Sequence, residues 1–228
     1  MSADSSQISR LPHSVRWIGR STTIAGLGFS LSWIVGLCVF ADSTTVVSTG
    51  AEVIASYRGQ ALAALAQFLF TEGLPPIAIL VVVRALCRSM RTSGHSRLAR
   101  ATWIMALAAC IISFAQFVLG VTLVIGAVPA NDAAASAGLS DAVTRLDGVK
   151  MLFFGGMAVA TVVYLIIAQR VRPIWLSVTG ALLAVAIVIS GLGYLFALTP
   201  LAAAAYASLP LLLVWMTGWG VLLGLRVR

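Results

Sequence analysis

Six runs of about 20 apolar residues, each long enough to cross a bilayer core of about 30 Å as an α-helix, dominate this chain. The 228 residues are 60% hydrophobic and 10% charged, whereas soluble domains are about 45–50% apolar and about 25% charged. This composition excludes a soluble enzyme and a disordered chain. We predict an all-α, polytopic membrane helix bundle with six transmembrane helices, at residues 21–40, 61–83, 101–126, 149–168, 174–196 and 206–225.

The positions of the basic residues predict how these spans are oriented. Twelve of the 15 lie before the first span, between spans two and three, between spans four and five, or after the last span. Because cytoplasmic loops carry the excess of Lys and Arg, we predict that both termini are cytoplasmic. Residues 1–20 then form a basic tail, either an interfacial helix or a flexible segment, and residues 226–228 form a basic end. The loops near 41–58 and 127–148 face outward.

The distribution of arginine also bears on partners and location. A net charge of +8 would suit nucleic acid, but the arginines are divided between short loops, so we expect no nucleic-acid partner. Arginine in place of lysine, together with abundant alanine, is typical of a GC-rich bacterial genome and predicts a bacterial cytoplasmic (plasma) membrane. The expected partners are the lipid bilayer, a lipophilic small molecule, and a membrane protein partner or a second copy of the chain.

The spans lack the side chains of familiar metal and cofactor sites. Both histidines, His13 and His95, lie in predicted cytoplasmic segments, which excludes a bis-histidine haem and an intramembrane Ser–His protease. No predicted span contains two carboxylates, so a two-metal site is disfavoured. Neither a P-loop nor a dinucleotide-binding glycine motif with a soluble fold is present. We therefore predict no metal and no cofactor.

Glu72 is the candidate catalytic residue, because its carboxyl falls near the predicted bilayer midplane. It precedes Arg84 by 12 residues, or about 18 Å of helix. A charge at that depth is costly, so the side chain should face protein or water. Pro75 and Pro76 remove two helical N–H donors and should kink the helix there. This arrangement suits a proton, cation or substrate site; the alternative is a neutral carboxyl bonded to a neighbouring helix.

Polar side chains on the second and third spans are candidates for substrate binding. Gln67 and Thr71 continue a polar stripe on the helix of Glu72. Gln116 shares a face of the third span with Ser113, and it lies near mid-span, where it would be a partner for Glu72. The structural alternative for Gln116 is an interhelical hydrogen bond.

Charged side chains at the predicted outer boundary form a further candidate site. Asp141 and Arg145 are four residues apart, and Asp147 and Lys150 are three apart, so ion pairs are expected on one helix face. Together with Arg58, at the outer start of the second span, Asp147 and Lys150 would rim an outward-facing pocket for an anionic headgroup or a diphosphate. The alternative is a solvated cluster of interfacial charges.

Small residues predict that the spans pack closely. Gly28, Ser32 and Gly36 form a ridge on the first span, and Gly220 and Gly224 form a GxxxG pattern on the sixth. In lipid, such residues allow helix backbones to approach one another. They indicate one compact bundle, although no pattern by itself identifies the helix it contacts.

Three functions are compatible with these features. The first, which we favour, is a non-catalytic membrane component or lipid-binding subunit, because it requires only a compact bundle. The second is an intramembrane enzyme that uses Glu72 for proton chemistry on a lipophilic substrate. Glu72 resembles the acidic residue in the second span of integral-membrane terpene cyclases, which are similar in size, and this resemblance implies an isoprenoid substrate. The third is a small proton-coupled transporter.

Overall fold

The computed structural model describes residues 13–40, 44–168 and 173–226, and these residues form helices joined by short turns, without a strand. The first twelve residues of the predicted basic tail and the last two residues of the predicted basic end lie outside the described residues. In chain order the α-helices are α1 His13–Val39, α2 Gly50–Tyr57, α3 Ala61–Phe68, α4 Pro75–Thr92, α5 Ser96–Thr122, α6 Ala133–Ile167, α7 Ile174–Leu195, α8 Thr199–Ala202 and α9 Ala205–Arg226. A first π-helical turn, Leu69–Gly73, joins α3 to α4, and a second, Leu123–Ala127, extends α5.

The predicted six-span helix bundle is confirmed. Six helical segments are long and apolar enough to cross a membrane: Gly19–Val39, Ala61–Thr92, Ser96–Ala127, Ala133–Ile167, Ile174–Leu195 and Thr199–Leu225. The second and third segments each contain a π-helical turn, and the sixth contains α8 and α9. The chain is therefore an all-helical, multi-pass bundle.

The segment predicted as a loop at 127–148 is mostly helix. Helix α6 begins at Ala133 and runs for 35 residues, and its N-cap Asp132 accepts a hydrogen bond from the Ala135 N–H. At 1.5 Å per residue such a helix is about 52 Å long, so it exceeds a hydrocarbon core of about 30 Å. The charged residues of its first turns lower the mean hydropathy of this part of the helix, so it is not predicted as a membrane span. They do not prevent helix formation.

The bundle has two distinct ends. We call the end where α1 begins and α9 finishes the terminal end, and the opposite end, where α2 lies, the cap end. Helices α1 and α9 are antiparallel, with Gly26 against Gly220 and Gly19 against Gly224. Helix α2 packs on the first turns of α6, where Gly50 approaches the Ala133 carbonyl so closely that any side chain would collide with it. The short helix α2 thus closes over one end of the bundle.

Two apolar clusters divide the interior. The main cluster fills the bundle from its middle to the terminal end and includes Phe29, Ile79, Phe154 and Trp215. A smaller cap cluster combines α2, α3 and the second π-helical turn, and it consists of Phe40, Val53, Ile54, Tyr57, Ala64, Phe68, Leu123, Val124, Ala127 and Val128. Between the two clusters lie the polar side chains that form the candidate site.

Candidate functional site

The centre of the site is a buried ion cluster that joins two helical segments 78 residues apart. The Lys150 ammonium donates to Glu72 Oε1 at 2.8 Å and to Glu72 Oε2 at 2.7 Å. It also lies 2.7 Å from Asp147 Oδ1, one turn earlier on α6. Among the described residues, Glu72 and Lys150 are the charged residues that are buried. With all three groups ionised, the cluster carries a net charge of −1.

The cluster has further donors and an aromatic neighbour. The Ser113 hydroxyl, on α5, donates to Glu72 Oε2. The Trp33 ring of α1 faces Lys150, with the ammonium 5.9 Å from the ring centroid, a cation–π distance. Taking charges out of water costs several kcal/mol per ion, and these contacts offset part of that cost. Besides α6, three helical segments therefore contribute to the cluster: α1, the first π-helical turn and α5.

The irregular backbone around Glu72 results from Pro75 and Pro76. The predicted break in the second span is present: α3 ends at Phe68, Glu72 lies in the first π-helical turn, and α4 begins at Pro75. Within this turn the Leu74 N–H bonds to the Leu69 carbonyl, five residues back. The Ser32 hydroxyl of α1 donates to the Phe70 carbonyl. Such π-helical turns are frequent at functional sites.

Gln116 lies beside the cluster and contains an unpaired acceptor. Its Nε2 atom donates to the Val143 carbonyl at 3.0 Å and to Asp147 Oδ1 at 3.4 Å. Because a carbonyl can only accept, the bond to Val143 fixes which end of the amide is the NH₂ group. The residue is 1% exposed, and its Oε1 atom has no hydrogen-bond partner among the described residues.

A cavity of about 260 Å³ adjoins the cluster on the side of the cap end. Its lining extends from Glu72 and Asp147 to Thr45, which is exposed. The remaining lining residues are Trp33, Leu37, Thr44, Val46, Tyr57, Gln67, Phe68, Thr71, Gln116, Leu123, Ser140, Val143, Thr144 and Tyr194. The cavity is therefore lined by hydroxyls, amides and aromatic rings, with both carboxylates on its wall.

The structure brings most of the predicted site residues together. Gln67, Thr71, Gln116 and Asp147 line the cavity with Glu72. The Thr71 hydroxyl is engaged locally, since it donates to the Gln67 carbonyl at 3.0 Å. The predicted polar stripe of the second span thus faces the cavity.

Three details differ from the sequence-based expectation. Glu72 is bonded to Lys150 and Ser113 and not to Gln116. Gln116 makes the alternative, an interhelical hydrogen bond, to Val143 and Asp147 of α6. Lys150 is 3% exposed and belongs to the buried cluster rather than to a solvated rim. Arg58 is exposed and apart from it, with its Nη2 atom 2.6 Å from Asn131 Oδ1.

Sequence reasoning missed the aromatic part of the cavity wall. Trp33, Tyr57, Phe68 and Tyr194 come from four different helices. No local spacing relates them, and in an apolar chain each resembles an ordinary core or interfacial residue. The sequence predicts that Ser113 shares a helix face with Gln116, but the bond of Ser113 to Glu72 depends on the packing of α5 against the first π-helical turn.

The donor set does not suit a bound metal ion. Across the described ranges, no group of three or more His, Cys, Asp or Glu side chains is placed to hold one. The two carboxylates that do approach each other are both engaged by Lys150. The site is therefore organised around an ammonium group.

Comparison with models of protein families, with curated proteins and with solved structures finds no match to this chain. Its function must therefore be argued from the geometry of the buried cluster and the cavity.

Proposed function

We propose that this chain is a non-catalytic component of a bacterial plasma membrane that binds a small molecule in the cavity at its cap end. By the distribution of arginines, this end faces outward. The observation that carries the proposal is the cavity itself, which joins a buried ion cluster to the surface of a membrane-embedded bundle. Concave sites with a few fixed polar groups are the usual form of a small-molecule site.

The bonding of Glu72 favours binding over catalysis. Both carboxylate oxygens accept hydrogen bonds from protein donors, Lys150 and Ser113. With both oxygens already engaged by protein donors, neither is free to present a proton to a lipophilic substrate. The terpene-cyclase-like alternative requires a proton donor, and the geometry supports it less well.

A proton-coupled transporter is the second candidate, and one observation favours it. The second span changes from α-helix to a π-helical turn at the depth of the buried cluster, and such turns are frequent at functional sites. Against it, the main apolar cluster fills the bundle between the cavity and the terminal end. Transport would require this cluster to open.

Mass spectrometry of the protein purified in mild detergent tests the proposal. We expect a small molecule to copurify with the unmodified chain and to be lost in Thr144→Trp, because Thr144 lines the cavity. Thr92→Trp is the matched control, since Thr92 is exposed near the terminal end. Equal retention in both variants, or no bound molecule in any of the three proteins, would contradict the binding role.

Proton flux into liposomes would instead support the transporter.

A further inference from the structure

We propose that the cavity binds a small organic cation carrying N–H donors, such as a primary or secondary ammonium group. This inference rests on the proposed binding function and specifies its ligand. It reverses the expectation from sequence, in which Arg58, Asp147 and Lys150 would hold an anion. Three features of the cavity support a cation: its charge, its unpaired acceptor and its aromatic wall.

The charged side chains that line the cavity are acidic. They are Glu72 and Asp147, and Lys150 is not part of the lining. The Lys150 ammonium contacts both carboxylates. When all three groups are ionised, its single positive charge leaves the cluster with a net charge of −1. The nearby arginines are engaged elsewhere: Arg58 bonds to Asn131, and Arg145 bonds to Asp141. An anion would meet repulsion in this cavity, whereas a cation would restore neutrality.

Two acceptor groups of the cavity wall, on Gln116 and Asp147, have unused hydrogen-bonding capacity. Gln116 Oε1 is buried, has no partner among the described residues, and belongs to a residue of the lining. Lys150 Nζ and Gln116 Nε2 both approach Asp147 Oδ1, and a carboxylate has about four acceptor positions. The Asp147 side chain also keeps 19% exposure. A ligand with two or more N–H groups would satisfy both residues.

Aromatic rings complete the wall. Trp33, Tyr57, Phe68 and Tyr194 all line the cavity, and aromatic faces attract organic cations. Trp33 already lies at a cation–π distance from Lys150. The volume, about 260 Å³, is slightly below the range of about 300–1,000 Å³ usual for ligand pockets. The ligand should therefore contain few non-hydrogen atoms.

Three probes of equal chain length test the charge preference. Propylammonium, propionate and 1-propanol are titrated calorimetrically into the full chain in phosphatidylcholine nanodiscs, with empty nanodiscs as the blank. We expect propylammonium to bind and propionate to bind at least about tenfold more weakly, because the carboxylates of Glu72 and Asp147 attract an ammonium and repel a carboxylate. The neutral 1-propanol should also bind more weakly than propylammonium, because hydrogen bonds to an ionised group are the stronger ones.

Two pairs of variants locate the binding. Asp147→Asn keeps the shape of the cavity and removes a charge, so we expect at least about tenfold weaker binding of propylammonium. Asp141→Asn is the matched control, because Asp141 is on the same helix and is exposed; it should bind as the unmodified chain does. Should Asp147→Asn fail to fold, Gln116→Leu carries the test, since it removes the unpaired acceptor and should also weaken binding. Thr144→Trp should abolish binding, and Thr92→Trp should not.

The outcomes separate this inference from the proposed function. If propionate or 1-propanol binds better than propylammonium and is lost in Thr144→Trp, the ligand class is wrong but the binding function stands. If no probe binds and no molecule copurifies, both fail. Binding of propylammonium that neither Asp147→Asn nor Gln116→Leu weakens would place the cation elsewhere and overturn the inference.

Discussion

At the scale of single residues, Lys150 is the side chain on which the interior depends most. It is buried and contacts two carboxylates, one of them on another helical segment. Removing one member of a buried ion pair leaves an uncompensated charge and costs about 3–5 kcal/mol. Lys150→Met should therefore lower the free energy of unfolding in detergent by about this amount. Arg145→Met is the control, because its pair with Asp141 is about half exposed and should contribute about 0–1 kcal/mol.

A double substitution distinguishes charge pairing from lost packing. In Lys150→Met combined with Glu72→Gln, the buried carboxylate left without its ammonium is replaced by a neutral amide. Because the main penalty of the single variant is that unpaired charge, the double variant should unfold at a higher denaturant concentration than Lys150→Met alone. A double variant that is no more stable than Lys150→Met would show that the single variant loses stability through packing of the Lys150 methylenes and not through the unpaired carboxylate.

At the scale of elements, the contact between α1 and α9 requires glycine at position 26 but not at position 28. A Cβ on Gly26 would lie 2.8 Å from the Gly220 Cα, whereas a Cβ on Gly28 would meet nothing within 4 Å. Gly26→Ala must separate two backbones, so we expect a loss of about 1–3 kcal/mol in unfolding free energy. Gly28→Ala, the matched control on the same helix, should be neutral or stabilising by up to about 1 kcal/mol. Equal effects in an unfolding titration would contradict this packing.

Helix α2 is stabilised by a capping box whose strength depends on pH. The Glu52 carboxylate accepts from the Thr49 N–H at 2.7 Å and from its hydroxyl at 3.0 Å, and these bonds lower the pKa of Glu52 below its ordinary value. A lowered folded-state pKa contributes stability above the unfolded value of about 4.3, and that stability is lost as pH falls through the folded pKa.

Amide hydrogen exchange measures this effect. At neutral pH, the amides of Gly50–Tyr57 should exchange faster in Glu52→Ala than in the unmodified chain. The difference should shrink as pH falls below the pKa of Glu52, because the protonated side chain accepts these bonds poorly. Amides of residues 77–92, in a membrane span, serve as the control and should not differ between the two proteins. A difference in α2 that is independent of pH would contradict the cap.

The elements also indicate how far local sequence predicts structure. Pro75 and Pro76 predict the break in the second span, because a missing N–H donor acts within its own helix. The ion pairs Asp141–Arg145 and Asp147–Lys150 are confirmed, because side chains three or four residues apart share a helix face. The cap helix α2 was not predicted, since its eight residues are too few for a periodic signal to stand out.

At the scale of the whole molecule, the orientation of the bundle remains a prediction from the arginines. A reporter fused after Arg228 should be active in the cytoplasm, and one inserted at Asn131, at the cap end, should be active outside. As an independent measurement, Asn131→Cys should react with a membrane-impermeant maleimide added to intact cells. This is done on a Cys38→Ala background, because Cys38 is exposed. The reverse pattern would place the cavity on the cytoplasmic side.

The sequence alone determined the number of spans, the break at Pro75 and the protection of Glu72 from lipid. These properties depend on hydropathy summed over about 20 residues and on bonds within one helix. The pairing of Glu72 with Lys150, the contact of Gly26 with Gly220 and the aromatic wall of the cavity were decided only by the tertiary structure. They depend on the rotation and depth of each helix. In a lipid-embedded bundle, apolar side chains face both the lipid and the core, as exposed Leu27 and buried Phe29 do, so hydropathy does not distinguish the two faces.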